Sequence, residues 1–593
     1  MILQRLAEYY DRLREDAETS SSLPVLGYSL QKISFCIVLD QSGNLVQFQD
    51  LREKESKRAI PKQMLVPGGA KPSGQGLNPC FLWDNAAYLL GFKPDDDKPE
   101  RTRRCFEAFR DRHMALASEI PSAAFHAVCE FLRNWAPETI ASYGTELHEM
   151  FVSFGVFRIA GERRYVHEDP RVREYWEAER SSAEGSSLGM CLVTGKIQPI
   201  ARLHEPKIKG VAGAQSSGAL LVSFNDSSYC SFGKEQSFNA PVSESIAFRY
   251  TNALNHLLNQ RARRVQIGDA TVVYWAERAT VLEEFVSDLF GEPFSADAGS
   301  DAENLTRAEQ VRLFLSQLRS GVGHSEAIDT SDPTRFYVLG LGPNASRLCV
   351  RFWIDSTVEE MEQRLGQHLR DVELIRPGDE GPPLSIRRLV QATGRFKGKG
   401  KGYDNDSVSP LLAAAVSRAV LSGTPYPLSL LTAMVGRIRR DGEVSHERVA
   451  AIKACLCRLQ RLRRTTKEVS VGLDRERMEP AYLAGRLFAA LERVQTDALG
   501  RDLNTTIKDK YFSSACATPA VVFPRLIRLN TFHLAKLDGG LRVVREKLVG
   551  EIVSGLDRFP KFLNLEEQGL FTIGYFHQRQ DFFMSNRSEG ETE

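Results

Sequence analysis

The residues from which a metal centre or a nucleophile would be built are 10 cysteines and 11 histidines. Their spacing supports neither. Only Cys455 and Cys457 lie close together, and two positions apart on a predicted helix they point to opposite sides, which suits neither a disulfide nor a shared zinc ion. The histidines are dispersed, with no His-Glu-x-x-His and no His-x-Glu accompanied by paired cysteines. No Gly-x-Gly-x-x-Gly follows a predicted strand. Gly398-Lys399-Gly400-Lys401-Gly402 lacks the hydroxyl residue that would hold magnesium in a phosphate loop. Asp95-Asp96-Asp97 could suggest two-metal chemistry, but Lys93-Pro94 precedes it and Lys98-Pro99 follows, the composition of a solvated loop. Neither a catalytic residue nor a metal ligand nor a cofactor is assigned.

The chemistry that remains is contact with phosphates and base edges. Glycine has no Cβ and lets backbone N–H groups approach phosphate oxygens, while lysine adds a point charge. The loop Pro67 to Gly76 and its continuation hold Lys71, Ser73, Gln75 and Asn78, short polar groups able to enter a minor groove. A second cluster, Lys207 to Gly218, holds Lys207, Lys209, Gln215 and Ser216 in a run of small and hydroxyl residues suited to an anion-binding nest. A third group is Arg395, Lys397, Lys399 and Lys401. A fourth is helical, with Arg437, Arg439, Arg440, Arg458, Arg461, Arg463 and Arg464. Plainer explanations stand beside these: an exposed connection, a loop with a bulge, a flexible linker and a solvated helix face.

The elements that carry these groups divide the chain unevenly. Its 593 residues suffice for several domain-sized cores. Strands are predicted over Ile33 to Leu39 and Asn44 to Phe48 around the turn Gln41-Ser42-Gly43, and again over Phe151 to Ile159, Ala219 to Phe224, Ala270 to Trp275, Arg335 to Leu341 and Leu348 to Ile354. Between them lie helical stretches over 101–151 and Glu244 to Asn259. After residue 385 strand-like runs nearly vanish. Ser445 caps a helix with Val449, Ile452, Leu456, Leu459 and Leu462 on one stripe, and helices follow over about 480–499, 520–537, 540–558 and 564–583. This predicts an α+β fold: a mixed domain over 1–385, a basic linker and helical segment over 386–467, and a helical bundle over 468–593.

Charge changes meaning once it is divided. Lys+Arg 77 against Asp+Glu 76 gives +1, which argues against a nucleic-acid partner. Residues 386–467, however, hold about 17 basic and about five acidic side chains, roughly +12, so the remainder sums to roughly -11. The amphipathic pattern Leu3, Leu6, Tyr10 and Leu13 is a helix and not a signal-peptide core, and no apolar run approaches the roughly 20 residues of a membrane span. Scattered thiols predict a reducing, cytoplasmic setting without a membrane partner.

Several segments resemble one family, the large subunit of the type I-C CRISPR Cascade effector complex. They include Asn78-Pro79-Cys80-Phe81-Leu82-Trp83-Asp84-Asn85 through Gly91, Cys191-Leu192-Val193-Thr194-Gly195, Gly218 to Asn225, Asn239-Ala240-Pro241-Val242 and Ala253-Leu254-Asn255. Further on come Leu339 to Asn344, Arg351-Phe352-Trp353, Gly423-Thr424-Pro425-Tyr426-Pro427, Ala481 to Leu487 and Gly574 to Gln580. Each alone is weak; their order across nearly the whole chain is specific.

The resemblance implies an RNA-guided DNA surveillance role without catalysis. It implies sensing of the protospacer-adjacent motif on duplex DNA, help in opening it, binding of the displaced strand, and recruitment of a separate helicase-nuclease. Partners would be guide RNA, double-stranded target DNA, and the backbone, guide-end and small subunits. The C-terminal helical region would also exist alone as the small subunit, with Met478 a candidate internal start. On this reading Lys71, Ser73, Gln75 and Asn78 sense the motif, and Lys207, Lys209, Gln215 and Ser216 face guide RNA or a neighbouring subunit. Arg395, Lys397, Lys399, Lys401, Arg458, Arg461 and Arg464 would hold the displaced strand. The alternative is a metal-dependent nuclease acting on DNA or RNA, and a third class is a scaffold without nucleic-acid contact.

Overall fold

The computed structural model describes residues 1–16, 19, 23–55, 58–69, 71, 76–94, 96–143, 149–181, 187–267, 269–280, 282–283, 286, 333–375, 384–398, 400–464, 468–500 and 505–590. Contacts divide the chain into two compact units. One comprises Met1–Gly210, Gln215–His256 and Ala345–Arg347; the other comprises Val211–Ala214, Leu257–Asn344 and Leu348–Glu593. The sequence-based segments, with boundaries near 385 and 467, follow a change of secondary structure, whereas these units follow shared cores.

In the first unit, helix α1 (Ile2–Glu15) buries Leu6, Tyr10 and Leu13, and the Tyr10 hydroxyl donates to Pro24 O at 2.6 Å. A five-stranded sheet is built on the long strand β1 (Tyr28–Leu39). Along one edge β1 pairs antiparallel with both β2 (Leu45–Asp50) and β5 (Lys62–Pro67); β3 (Glu53–Glu55) and β4 (Arg58–Ile60) form a separate ribbon between them. Its other edge runs parallel to β7 (Phe154–Ile159), which pairs with the short β6 (Trp83–Asn85). Both faces of β1 are covered, so its apolar residues run consecutively rather than alternating. Phe35, Ile37 and Leu39 pack with α3 (Pro99–Ala115) and α4 (Ala123–Asn134), while Ile33, Cys36 and Val38 pack with Met64, Val66 and Trp83. The short helix α2 (Ala86–Leu89) follows β6, and α5 (Pro170–Ser181) follows β7. The ribbon β8 (Leu188–Met190) and β9 (Ile197–Pro199) precedes α6 (Glu244–Asn259).

The segment Ala219 to Phe224 differs from expectation. Only Ala219 and Leu220 find bridge partners, Ile208 and Arg347, and the rest makes no ladder. Its apolar run reads as a strand, but among the described residues these isolated bridges are its only pairing.

The second unit opens with a sheet of order β10 (Arg264–Ile267), β11 (Ala270–Ala276), β12 (Arg335–Asn344) and β13 (Arg347–Thr357). Helix α7 (Val358–Val372) follows directly, with the Thr357 side chain accepting from Glu360 N as its N-cap. Then come α8 (Ile386–Gln391), α9 (Pro410–Ser422), α10 (Leu428–Asp441), α11 (His446–Leu462), α12 (Pro480–Leu499), α13 (Ile507–Ala517), α14 (Pro519–Leu534), α15 (Gly539–Ser554) and α16 (Leu565–Gly590). One apolar core runs from Ile267 and Val272 of the sheet through Leu365, Leu431 and Leu456 to Phe488 and Phe576. That shared core is why the sheet belongs with the helices, and why no core boundary falls at residue 385. The architecture is α+β: sheets and helices are mixed up to Thr357, and every element after it is helical among the described residues. Among the described residues no helix is long and apolar enough to cross a membrane.

Helices α12 and α16 pack backbone to backbone. A Cβ at Gly485 would overlap the carbonyl oxygen of Phe571, and one at Gly574 would overlap that of Tyr482. Gly485→Ala is therefore expected to destabilise the unit by about 1–3 kcal/mol through overpacking, despite alanine's better helix propensity. Chemical denaturation checks this; an unchanged midpoint would show that the helices separate freely.

Candidate nucleic-acid interface

Lys71, expected as a reader of DNA, lies at the root of its loop with its ammonium turned inward. Nζ forms an ion pair with Asp84, donates to Asn78 O at 2.6 Å and sits 3.5 Å from the centroid of the Tyr88 ring. The Asp84 carboxylate is fully buried and also accepts from Cys80 N at 3.0 Å and Asn85 N at 2.8 Å. Burial raises its pKa, outweighing the lowering by Lys71. Nearby, Leu82 holds a left-handed φ of 61° and donates its N–H to His113 Nε2 at 3.0 Å. Desolvation depresses His113 to about 3, so the ring is neutral and can accept. The Asn78 to Gly91 motif is thus a fold-building segment around Lys71, Asp84 and His113. The Asn78 side chain is exposed, whereas Ser73 and Gln75 lie outside the described residues.

The second cluster presents its polar groups to solvent. Ile208 and Ala219 exchange two backbone hydrogen bonds of 2.9 Å, drawing the two arms of the loop together. Asn255 of α6 fastens one arm, accepting from Lys209 N at 2.9 Å and donating to Lys207 O at 3.1 Å. Lys207, Lys209, Gln215 and Ser216 are all exposed.

Arg395 to Asp404 forms an anchored hairpin in place of a plain linker. Phe396 bridges Tyr403, Lys397 N donates to Gly402 O at 2.9 Å and Lys401 N to Gly398 O at 3.1 Å. Gly398, Gly400 and Gly402 have φ of 110°, 80° and 62°, values that other residues rarely adopt, with nothing within 4 Å of where a Cβ would stand. The base is held by the buried Arg448 of α11, which donates to Ala392 O, Gly394 O and the Asp441 carboxylate at 3.0, 2.9 and 2.7 Å. Phe396 N donates to the same carboxylate oxygen at 3.0 Å. Arg395, Lys397 and Lys401 are exposed, and Lys399 lies outside the described residues. Asp404 accepts from Lys397 at 2.9 Å, which lowers its pKa, and stands 3.7 Å from Arg395.

The arginines of α11 separate by position on the helix. Arg458 is buried: Nε donates to Asp371 Oδ2 at 2.9 Å, and Nη1 to Ala419 O at 2.8 Å and Thr424 O at 2.5 Å. Its guanidinium lies 4.1 Å from the centroid of Tyr426, whose hydroxyl is 2.6 Å from His368 Nδ1. Arg461 donates to Asp371 Oδ1 at 2.7 Å and to both oxygens of Glu468 at 2.9 Å. Arg463 makes a forked pair with Glu566, and Arg437 donates to Thr393 O. Arg440 and Arg464 are exposed. Much of the roughly +12 of this segment is therefore spent inside the fold, because a sequence total cannot register Asp371, Glu468 and Glu566 lying beyond its ends.

Among the described residues the candidate groups leave two exposed cationic features, the Lys207–Gly218 loop and the glycine-lysine hairpin. Among the described residues no three His, Cys, Asp or Glu are placed to hold a metal ion. Comparison with curated proteins gives no match. The profile of the CRISPR-associated protein family Cas_Csd1 matches residues 6–583, across both units and every motif described above. The chain therefore belongs to the Cas_Csd1 family of CRISPR-associated proteins, the large subunits of type I-C Cascade.

Proposed function

We propose that this Cascade component is a non-catalytic subunit that senses the protospacer-adjacent motif, helps open the duplex, holds the displaced strand and recruits a separate helicase-nuclease. The observation that carries the strand-holding role is the glycine-lysine hairpin. Its open glycines leave a phosphate free to approach the backbone, and Lys397 and Lys401 flank that approach. Exchange of a DNA duplex for a guide heteroduplex is near-balanced in energy, so a few cationic contacts are enough to tip it.

Within this reading Arg395, Lys397, Lys401 and Arg464 hold the displaced strand, joined by Lys399. Arg458 and Arg461 act from beneath, as structural supports of the surface. Asn78, with Ser73 and Gln75, senses the motif, and Lys71 holds their loop in place. Lys207, Lys209, Gln215 and Ser216 face guide RNA or a neighbouring subunit. Met478, exposed just ahead of α12, remains the candidate start for a separately made small subunit.

Lys397→Ala with Lys401→Ala in the assembled complex tests the central assignment. Each cation withdrawn from a single strand should flatten the dependence of log affinity on log salt by roughly 0.7. Motif preference should be unchanged. A wild-type salt slope in the double variant would remove the hairpin from the strand path.

A further inference from the structure

The loop Asn225 to Glu235 of the first unit is exposed along its whole length. At its tip Phe232 is 97% exposed, the most exposed of the large apolar side chains among the described residues. Its φ of 51° is left-handed, a costly conformation for a bulky residue, and Gly233 and Gln236 follow with φ of 67° and 49°. Hydrogen bonds hold this backbone in place. Lys234 N donates to Ser231 O at 3.0 Å, closing the turn. The Asn239 side chain accepts from Ser231 N at 2.9 Å and donates to Lys234 O and Gln236 O, both at 3.0 Å. An aromatic ring is thus held out into solvent on a braced turn.

A cation is seated against the same loop. The Arg347 guanidinium stands 4.6 Å from the Tyr229 ring centroid and donates to its hydroxyl at 3.0 Å. Leu220 bridges Arg347, and the adjoining Ala219 bridges Ile208, between Lys207 and Lys209. The carboxylate of Asp226 is occupied by Ser228, whose N and Oγ donate to it at 2.9 and 2.7 Å. The loop itself carries Lys234, exposed two positions from Phe232, and Arg347 stands against Tyr229.

We propose that Phe232 is a stacking platform for an unpaired nucleobase of a single strand, with Lys234 holding the adjoining phosphate. This rests on the nucleic-acid reading above. The tip sequence Ser231-Phe232-Gly233-Lys234-Glu235-Gln236 contains no second apolar side chain, so it offers far too little area for a protein interface. A base requires only one π-face and a nearby positive charge. The left-handed backbone presents that face to solvent.

The test uses the full-length chain and 2-aminopurine-bearing single strands of one sequence, as RNA and as DNA. Phe232→Ala should weaken binding about 5- to 100-fold and abolish the quenching that stacking causes. Phe232→Trp should keep both, and Phe232→Leu should behave like alanine. Phe232→Gly should bind as weakly as alanine while melting no lower than wild type, since glycine relieves the strained φ. Loss on RNA alone assigns the platform to the guide, and loss on DNA alone assigns it to the target. Retention by leucine, or wild-type affinity of Phe232→Ala for both strands, overturns the proposal. If Phe232→Ala is silent while the Lys397 and Lys401 variant still flattens the salt dependence, the platform falls and the proposed function stands. A wild-type chain that binds neither strand overturns the platform, while the strand-holding role is decided by the salt dependence of the assembled complex.

Discussion

Asp371→Ala is expected to destabilise the helical unit by about 3–5 kcal/mol, because it leaves the Arg458 guanidinium buried without its anion. Arg458→Ala should cost a similar amount, because it takes the donor from Asp371 Oδ2 and from the carbonyls of Ala419 and Thr424 and empties a buried site. Arg461 is only half-buried, and Asp371 would keep Arg458 as its partner, so Arg461→Ala should cost about 1 kcal/mol, within the range of exposed pairs. Arg464→Ala, at the surface, should fall within about 0.5 kcal/mol of wild type. Chemical denaturation gives this ranking, and the salt dependence of strand binding should give its reverse, with Arg464 contributing most. Coupling in the Asp371 and Arg458 double-mutant cycle should reach about 1–3 kcal/mol. A triple replacement of Arg458, Arg461 and Arg464 would therefore confuse unfolding with lost binding. Equal, small stability losses for Arg458 and Arg464 would show that Arg458 is not the buried support its geometry indicates.

The regular helices were legible because their signals are local. Ser445 caps α11 as its sequence suggests, and Glu244–Asn259 and Pro480–Leu499 follow their apolar periods closely. Helix α13 was missed, although Thr506 and Asp509 form a capping box that marks its start. The basic segment was legible as composition but not as surface. Whether a cation is free depends on carboxylates far away in sequence, such as Asp371 for Arg458 and Glu566 for Arg463. The partners of Lys71 are equally hidden: in sequence it sits in a glycine-rich loop, and only folding brings Asp84 and Tyr88 to it. Phe232 carries the opposite lesson. Nothing in the sequence sets it apart from the other phenylalanines, and only the fold leaves its ring uncovered.

Lys71→Ala should likewise lower the stability of the first unit by about 3–5 kcal/mol at neutral pH, because Asp84 would be left as an unpaired buried carboxylate. The pH dependence identifies the cause. Asp84 already has a raised pKa in the fold, since burial outweighs its cation, so the folded state holds a proton that the unfolded chain releases near pH 3.9. Stability from this group is therefore fully present below about pH 3.9 and is lost as pH rises through the folded pKa. Removing Lys71 deletes the one charge that lowers that pKa, raising it further and widening the window of loss. The penalty for Lys71→Ala should thus be smallest near pH 4 and grow towards pH 8. Lys71→Ala with Asp84→Asn should recover much of the loss and flatten its pH dependence, because no buried charge remains. This separates support from recognition. If the double variant regains stability and motif preference together, Lys71 acts by holding the loop; if stability returns without preference, its ammonium contacts DNA directly. A single variant whose penalty is the same at pH 4 and pH 8 would exclude Asp84 as the cause.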